Sequence, residues 1–411
     1  MRFYLLVFAL VTLQSVFGQV QDSTQTVKVF IDCPGCDKNY FRSNLPYATL
    51  VRDRYVADCH IQFFSQRTGS GGSKYEFHFI GLNKYSSIVD TIHFSVPNNT
   101  TAHELREKQL HYLKIGLVSF WIKNNTTDHI AVLLQNSPVK EEKPKDKWKN
   151  WVFSINTSIY TDGQASYTNF SNNNSISAER VREQDRIDVG GWYNYQRKKY
   201  ILNDPDTIVY NIQKSNAVDL TYTRALGKKL SAGAFTNAGS SIYNNYDFYG
   251  TLKGALEYNI YDYAESNNKQ IRLGYKLGPR FNDYIDTTVH NQIEELLWQQ
   301  TLSTDMKFKK PWGNISYSVS WNNYMNDIQL NSLNNWVSLN IRVFKGLSWR
   351  MSGSFRIIKD QVNLERGEAS YEEVLLQQTQ LATAYNYWLS TGLSFTFGSI
   401  YNDVVNPRFG Y

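Results

Sequence analysis

Alternating apolar and polar residues fill the last two thirds of the chain. In the stretch NISYSVSWNN, Ile315, Tyr317, Val319 and Trp321 alternate with serine and asparagine. An extended strand with this pattern has one apolar face and one polar face, and no helical periodicity competes with it after residue 150. We predict twelve strands, at residues 151–162, 166–180, 186–198, 207–224, 228–238, 249–263, 269–280, 296–309, 314–324, 335–345, 347–359 and 384–398.

The residues before 137 mix strands and helices instead. Thr101 with Glu104 three positions later forms a capping box that predicts the start of a long amphipathic helix over 102–123. A shorter helix over 36–45 ends at Pro46. Strands are predicted at 27–32, 56–66, 75–82, 91–96 and 130–134. This order predicts a small α/β sandwich.

Composition divides the chain into four parts. Residues 1–18 are typical of an export signal, because Arg2 precedes a short apolar run and small residues follow it. The charged, proline-containing stretch at 137–149 predicts a linker. The α/β region therefore covers 20–136 and the strand-rich region covers 150–411. After the signal, no apolar run is long enough to predict a transmembrane helix.

Two β architectures use alternating strands of this kind. A soluble sandwich buries its apolar faces, whereas an outer-membrane barrel turns them toward lipid. Short turns near REQD, LGKK, ESNNK, KKPWG and KG separate longer polar connections, although the turn near DGQ is short where a long loop is expected. The aromatic content of 15% also suits interfacial belts. We therefore predict a mostly β protein, a transmembrane antiparallel barrel of about 12 strands preceded by the α/β region.

Both regions resemble known families. The stretches ADCHIQFFSQRTGSGGSKYEFHFI and TIHFSVP, with the helix that follows, resemble the N-terminal domain of the periplasmic TolB protein. The stretches FSINTSIYTDG, SISAERVREQDRIDVGGWYNY and STGLSFTFGS resemble uncharacterised outer-membrane barrels related to the salt-induced outer-membrane protein family. The resemblances imply a Gram-negative outer-membrane protein with a periplasmic domain that docks a partner. We expect a scaffold or assembly role, and because the catalytic motifs considered next are weak, we predict neither enzymatic activity nor a cofactor.

Three cysteines are the first candidates for chemistry. Cys33 and Cys36 form a CxxC motif between a predicted strand and a predicted helix, the setting in which thioredoxin-like proteins activate a thiol. A structural disulfide is the interpretation we favour. It joins either these two residues or one of them to Cys59.

Other enzymatic motifs are weaker. The glycine-rich stretch TGSGGSK lacks the spacing of a phosphate-binding loop, so we interpret it as a hairpin turn. An outer-membrane lipid hydrolase would pair a histidine with a serine, but His290 is followed two positions later by Gln292. Neither the cysteines nor the histidines predict a metal site.

Charged residues on the predicted inward face are the last candidates. Their basic excess fits a small porin-like diffusion channel, but we favour a lumen filled by paired charges, because barrels of this strand number are narrow. The predicted lumen-lining residues are Lys253, Glu257, Arg272, Lys276, Asp305, Lys307, Arg342, Arg350 and Arg356. The expected partners are outer-membrane lipids and lipopolysaccharide, an envelope protein and the barrel assembly machinery. A net charge of +6 without a dense basic cluster argues against nucleic acid.

Overall fold

The computed structural model describes residues 26–33, 35–124, 130, 146–201, 208–344, 346–367 and 380–398. Its first part is a sheet of strand order β2-β1-β3-β4-β5 with two helices. β1 pairs in parallel with β2 and β3, and β3, β4 and β5 form an antiparallel meander. The elements are β1 (Val27–Asp32), α1 (Lys38–Asn44), β2 (Ala48–Leu50), β3 (Cys59–Arg67), β4 (Ser73–Gly81), β5 (Val89–Val96) and α2 (Ala102–Lys123).

Helix α2 covers one face of this sheet. The Thr101 hydroxyl accepts a hydrogen bond from the Glu104 backbone N–H at 3.2 Å, and the Glu104 carboxylate accepts one from the Thr101 N–H at 2.8 Å. The predicted capping box is therefore present. Buried side chains of α2 and of the sheet form one apolar core, which includes Leu113, Leu117, Phe120, Val27, Val29, Phe77 and Phe79.

The predicted α/β architecture is confirmed for the described residues. Helix α2 begins and ends where the sequence predicts it, while the short edge strand β2 was not predicted. The strand predicted at 130–134 falls outside the described residues except for Ile130, and so do the export signal and most of the linker.

Gly116 lies where α2 crosses β4. A Cβ atom at this position would overlap the Phe79 ring. We expect Gly116→Ala to lower the free energy of unfolding by about 1–2 kcal/mol, because overpacking costs about 1–3 kcal/mol and the better helix propensity of alanine offsets up to about 1. Chemical denaturation followed by circular dichroism measures the loss. Gly227→Ala is the matched control, since an added Cβ there meets no atom within 4 Å. Equal stability of the two variants would contradict the packing argument.

The second part is one twelve-stranded antiparallel sheet in which each strand pairs with its neighbours in the chain. The strands are β6 (Trp151–Gln164), β7 (Tyr167–Val181), β8 (Asp185–Ile201), β9 (Ile208–Ala225), β10 (Leu230–Ser241), β11 (Tyr246–Asn259), β12 (Lys269–Tyr284), β13 (Glu294–Lys310), β14 (Gly313–Tyr324), β15 (Asp327–Phe344), β16 (Leu347–Ile358) and β17 (Tyr385–Phe395). All twelve predicted strands are confirmed. Within the described residues β6 and β17 are the two edges and do not pair with each other, so the sheet is not closed.

The predicted alternation of short turns with long loops is wrong. The connections at 242–245 and 325–326 were expected to be long and are tight, while the one at 260–268 was expected to be short. Some polar stretches rich in asparagine and serine were interpreted as loops. In the structure they lengthen the strands, most clearly at the start of β15. Backbone pairing in a hairpin does not require apolar side chains, so polar residues continue the ladder.

The two faces of the large sheet differ in exposure, and the apolar face is the more exposed one. Apolar side chains on one face are open to the surroundings, with Ile155 81% and Val218 60% exposed, whereas Asn259 and Asn282 on the other face are completely buried. β9 shows the same alternation along its length, with exposed apolar positions and enclosed polar ones. No second sheet covers the polar face in the described part of the chain. The apolar face is therefore the more open face of the sheet, and we call it the outward face.

Candidate functional site at the polar face and the junction

The strand register places all nine predicted lumen residues on the polar face of the large sheet. Directly opposed residues on neighbouring strands share a face. Arg272 opposes Asp305, and Asp305 in turn opposes Ser318. The same register continues through Arg342 opposite Ser348 to Arg350 opposite Asn340 and Arg356 opposite Asn334.

An ion-pair network links three strands of this face. Arg272 lies 3.7 Å from Glu257 and 3.4 Å from Asp305. The Ser318 hydroxyl donates to the second oxygen of Asp305 at 2.7 Å. Each charge in the network therefore has a partner of opposite sign or a hydrogen bond, and because the three charged side chains are 36–39% exposed, solvent screens their attraction.

The other predicted lumen residues have varied surroundings. The Lys253 ammonium donates to Gln299 at 2.6 Å, and the Lys276 ammonium lies 3.9 Å from the centre of the Phe235 ring. Arg356 pairs with Asp360 at 3.6 Å, and Lys307 is exposed. Arg342 and Arg350 lie at the end of the sheet where the α/β region sits.

We call the surface where the α/β region meets this end of the sheet the junction. The end carries the connections at 182–184, 226–229, 260–268 and 311–312, and Gly346 between β15 and β16. Three contacts across the junction come from β3 and β4: Arg67 with Glu179 at 3.7 Å, Phe64 with the Lys309 ammonium at 5.2 Å from the ring centre, and Glu76 with Asn267 at 3.4 Å.

The strongest contact across the junction is an ion pair at the end of β1. The Arg342 guanidinium donates to the Asp32 carboxylate at 2.6 Å, and it also lies 4.9 Å from the centre of the Phe30 ring. The buried His60 ring has its Nε2 3.7 Å from Asp32, longer than a hydrogen bond. Asp32 and Arg342 are both partly buried, so solvent screens their attraction less than that of an exposed pair.

These surroundings change two pKa values in the α/β region. Burial alone raises the pKa of the Asp32 carboxyl, but the interactions with His60 and Arg342 outweigh it and lower the pKa to about 2. We assign the larger share to Arg342, because it is closer and always charged. Burial lowers the pKa of the His60 imidazole, and the Asp32 carboxylate offsets part of that effect. At neutral pH the ion pair is therefore intact and His60 is neutral.

The cysteines lie at the opening of α1 and in β3. A disulfide joins Cys33 to Cys36, directly before the Asp37 N-cap of α1. Cys59 is a free thiol that is completely buried, and burial raises its pKa. A raised thiol pKa makes Cys59 a poor nucleophile at neutral pH.

The glycine-rich stretch and His290 both lie in connections between strands. The glycine-rich stretch forms the hairpin turn between β3 and β4, where the Thr68 N–H donates to the Gly72 carbonyl at 2.9 Å. His290 is exposed in the connection after β12, and the backbone N–H of Gln292 donates to Thr288 there. Within the described residues no cluster of three or more histidine, cysteine or acidic side chains forms a metal site. None of the described helices combines the length and apolar character needed to cross a bilayer.

Sequence reasoning missed the Asp32–Arg342 pair. The two residues are separated by 310 positions and no motif links them. Arg342 carried the only signal, since it was predicted to lie on the polar face near a strand end. No protein-family model and no curated protein sequence matches this chain. The resemblances to TolB and to the salt-induced outer-membrane proteins therefore stay predictions.

Proposed function

We propose that the protein is an outer-membrane β-barrel of a Gram-negative bacterium, with its α/β region in the periplasm. The observation that carries the proposal is the outward apolar face of the twelve-stranded sheet. An exposed apolar surface of this extent is unfavourable in water, where it would drive aggregation, and favourable in hydrocarbon. Outer-membrane lipids and lipopolysaccharide are the partners of this surface.

Closure of the sheet into a barrel completes the proposal. In a chain of twelve antiparallel neighbours the first and last strands run in opposite directions. β6 and β17 therefore have the relative direction needed for antiparallel pairing. Closure would satisfy both rows of unpaired backbone groups, which hydrocarbon requires.

The proposed role is a non-enzymatic scaffold or assembly component that docks an envelope partner through the α/β region. Two features favour a filled interior over a channel. The Glu257–Arg272–Asp305 network lies on the polar face. At the end far from the junction, Asn245 donates to the Asn363 carbonyl at 3.1 Å, so that the residues directly after β16 contact the turn between β10 and β11. Barrel assembly machinery is the expected partner during biogenesis.

A small diffusion channel is the second candidate, favoured by Lys253 and Lys276 on the polar face. Planar-bilayer recordings separate the two roles. We expect the purified protein to give no steps of ion conductance at neutral pH. Steps with anion preference that decrease in Lys253→Gln would support the channel and contradict the scaffold.

Cysteine cross-linking tests closure. Asn156 in β6 and both Ser390 and Ser394 in β17 lie on the polar face by register. We expect Asn156→Cys combined with either Ser390→Cys or Ser394→Cys to form a disulfide in isolated membranes. Asn156→Cys with Ser318→Cys is the control, because Ser318 lies in a strand between the two edges.

The same samples test the membrane location. We expect the protein to sediment with membranes and to need detergent for extraction. Recovery as a soluble monomer without detergent, with no cross-link between β6 and β17, would overturn the barrel proposal.

A further inference from the structure

A basic cleft of about 800 Å³ opens at the junction, between α1, β2 and the ends of β15, β16 and β17. Its lining has one acidic residue, Asp53, and six basic ones. The basic residues are Lys38, Arg42, Arg52, Arg54, Arg342 and Arg350. Four come from the α/β region and two from the large sheet, so the cleft exists only where the two regions meet.

Two carboxylates lie near the cleft, those of Asp53 and Asp32. Asp53 accepts a hydrogen bond from the backbone N–H of Tyr55 at 3.0 Å, and Asp32 is paired with Arg342. Partial desolvation lowers the pKa of Lys38, Asp32 opposes that effect, and the charges of Arg342 and Arg42 add to it. When both carboxylates are counted against the six basic side chains, the cleft keeps an excess of positive charge around a concave surface, which raises the local potential and favours an anion.

An aromatic band on the apolar face adjoins the cleft. Phe344, Phe395 and Phe397 line its rim and are 54%, 57% and 81% exposed. The ring centres of Phe344 and Phe395 are 6.2 Å apart, and those of Phe395 and Phe397 are 5.6 Å apart. Phe395 lies directly opposite Leu347 on the outward face of the sheet. The cleft therefore combines a cationic pocket with an exposed apolar wall.

We propose that this cleft binds the phosphate headgroup of an anionic phospholipid, with the acyl chains along the Phe344–Phe395–Phe397 band. The guanidinium groups of Arg54 and Arg350 supply planar pairs of N–H donors that match phosphate oxygens, and Lys38 supplies a point charge. The phenylalanine rings of the band are apolar, so contact with acyl chains removes them from water. The assignment of a lipid as the ligand rests on the proposed membrane location. The binding of a phosphate group by the basic side chains does not depend on that location.

The test removes one charge from each wall of the cleft in the full-length protein. Lys38→Gln combined with Arg350→Gln leaves the Asp32–Arg342 pair intact. Lys74→Gln combined with Lys114→Gln removes the same charge from the α/β region away from the cleft lining. Both pairs change exposed or half-exposed side chains, so we expect unchanged circular dichroism and thermal unfolding.

Lipid binding is measured by native mass spectrometry of detergent-solubilised protein titrated with phosphatidylglycerol or phosphatidylcholine. We expect the wild type and the Lys74/Lys114 variant to prefer phosphatidylglycerol, and the Lys38/Arg350 variant to bind it about tenfold more weakly. No preference in the wild type, or an equal preference in all three proteins, would overturn the proposal.

A second arm distinguishes a lipid from a soluble phosphate. The detergent-solubilised protein is titrated with glycerol 3-phosphate and with inorganic phosphate. We expect weak binding that the Lys38/Arg350 pair abolishes. If these solutes bind as tightly as phosphatidylglycerol, a free phosphate compound is the ligand and the lipid assignment is overturned. Failure of the membrane location would appear separately, as a soluble protein in the fractionation experiment.

Discussion

Leu302→Arg is expected to lower the stability of the protein in lipid vesicles by about 2–4 kcal/mol. Leu302 lies in the middle of β13 on the outward face and is 54% exposed. Arginine near the midplane of a bilayer destabilises transmembrane barrels by about this amount, whereas an exposed apolar residue in water tolerates it within about 0.5 kcal/mol. Guanidinium titration of the vesicle-bound protein, followed by tryptophan fluorescence, measures the difference.

Val89→Arg is the matched control for this substitution. Val89 is 72% exposed in β5 of the α/β region, on a surface that the proposal places in water. We expect its stability to stay within about 0.5 kcal/mol of the wild type. If Leu302→Arg is equally mild, the outward face of β13 does not contact lipid and the barrel proposal fails.

Asp32→Asn is expected to lower the stability of the α/β region by about 2 kcal/mol at neutral pH. The lowering of its pKa from 3.8 to about 2 corresponds to roughly that free energy at about 1.4 kcal/mol per pKa unit. A double-mutant cycle with Arg342→Gln is expected to give a coupling energy of about 1–2 kcal/mol. The longer Arg67–Glu179 contact, in which Arg67 is 69% exposed and Glu179 also pairs with Arg186, provides a comparison cycle, for which we expect less than about 1 kcal/mol. Equal coupling energies in the two cycles would show that the Asp32–Arg342 pair stabilises the junction no more than the Arg67–Glu179 contact does.

The pH dependence of the Asp32–Arg342 coupling follows from the sign of the Asp32 shift. The pKa of Asp32 in the folded protein lies below its unfolded value of 3.8. The stabilisation by the Asp32 carboxylate is therefore complete at pH values above 3.8 and is lost as the pH falls through about 2. We expect the coupling energy to be the same at about pH 7 and pH 5, and to fall steeply between about pH 4 and pH 2.

Acidification through the ordinary range of histidine has a different effect. The folded pKa of His60 is lowered, so the folded state loses stability as the pH falls below the unfolded value of about 6.5. Unfolding at several pH values separates the two groups, because only the His60 effect survives in Asp32→Asn. A pH-independent stability between about pH 7 and pH 5 would contradict the buried, neutral state of His60.

The sequence predicts the elements of this fold because local patterns determine them. Alternation identifies all twelve strands of the large sheet, and the Thr101–Glu104 box marks the first turn of α2. Strand ends are less well predicted, since the asparagine-rich start of β15 has the composition of a loop and pairs as a strand. The short strand β2 has three residues, too few to show any period.

The candidate site could be predicted only in part. The strand register places the nine charged residues on one face, because alternation alone determines a face, and their predicted role as lumen lining stays a prediction. Alternation does not determine which of the nine residues contact one another. Arg342 and Arg350 therefore lie at the junction and not in the ion-pair network. The basic cleft draws its charges from α1, β15, β16 and the segment after β2. No stretch of sequence carries more than a few of them, which is why no dense basic cluster was visible.

The edges of the large sheet have a consequence for how the chain matures. β6 and β17 are separated by more than 200 residues, so any bond between them is among the last contacts that a growing chain can make. Until then two ladders of unsatisfied amides are available to any extended strand nearby, including a second copy of the same chain. Under the proposed membrane location, we expect a chaperone to cover these edges before the final strand arrives.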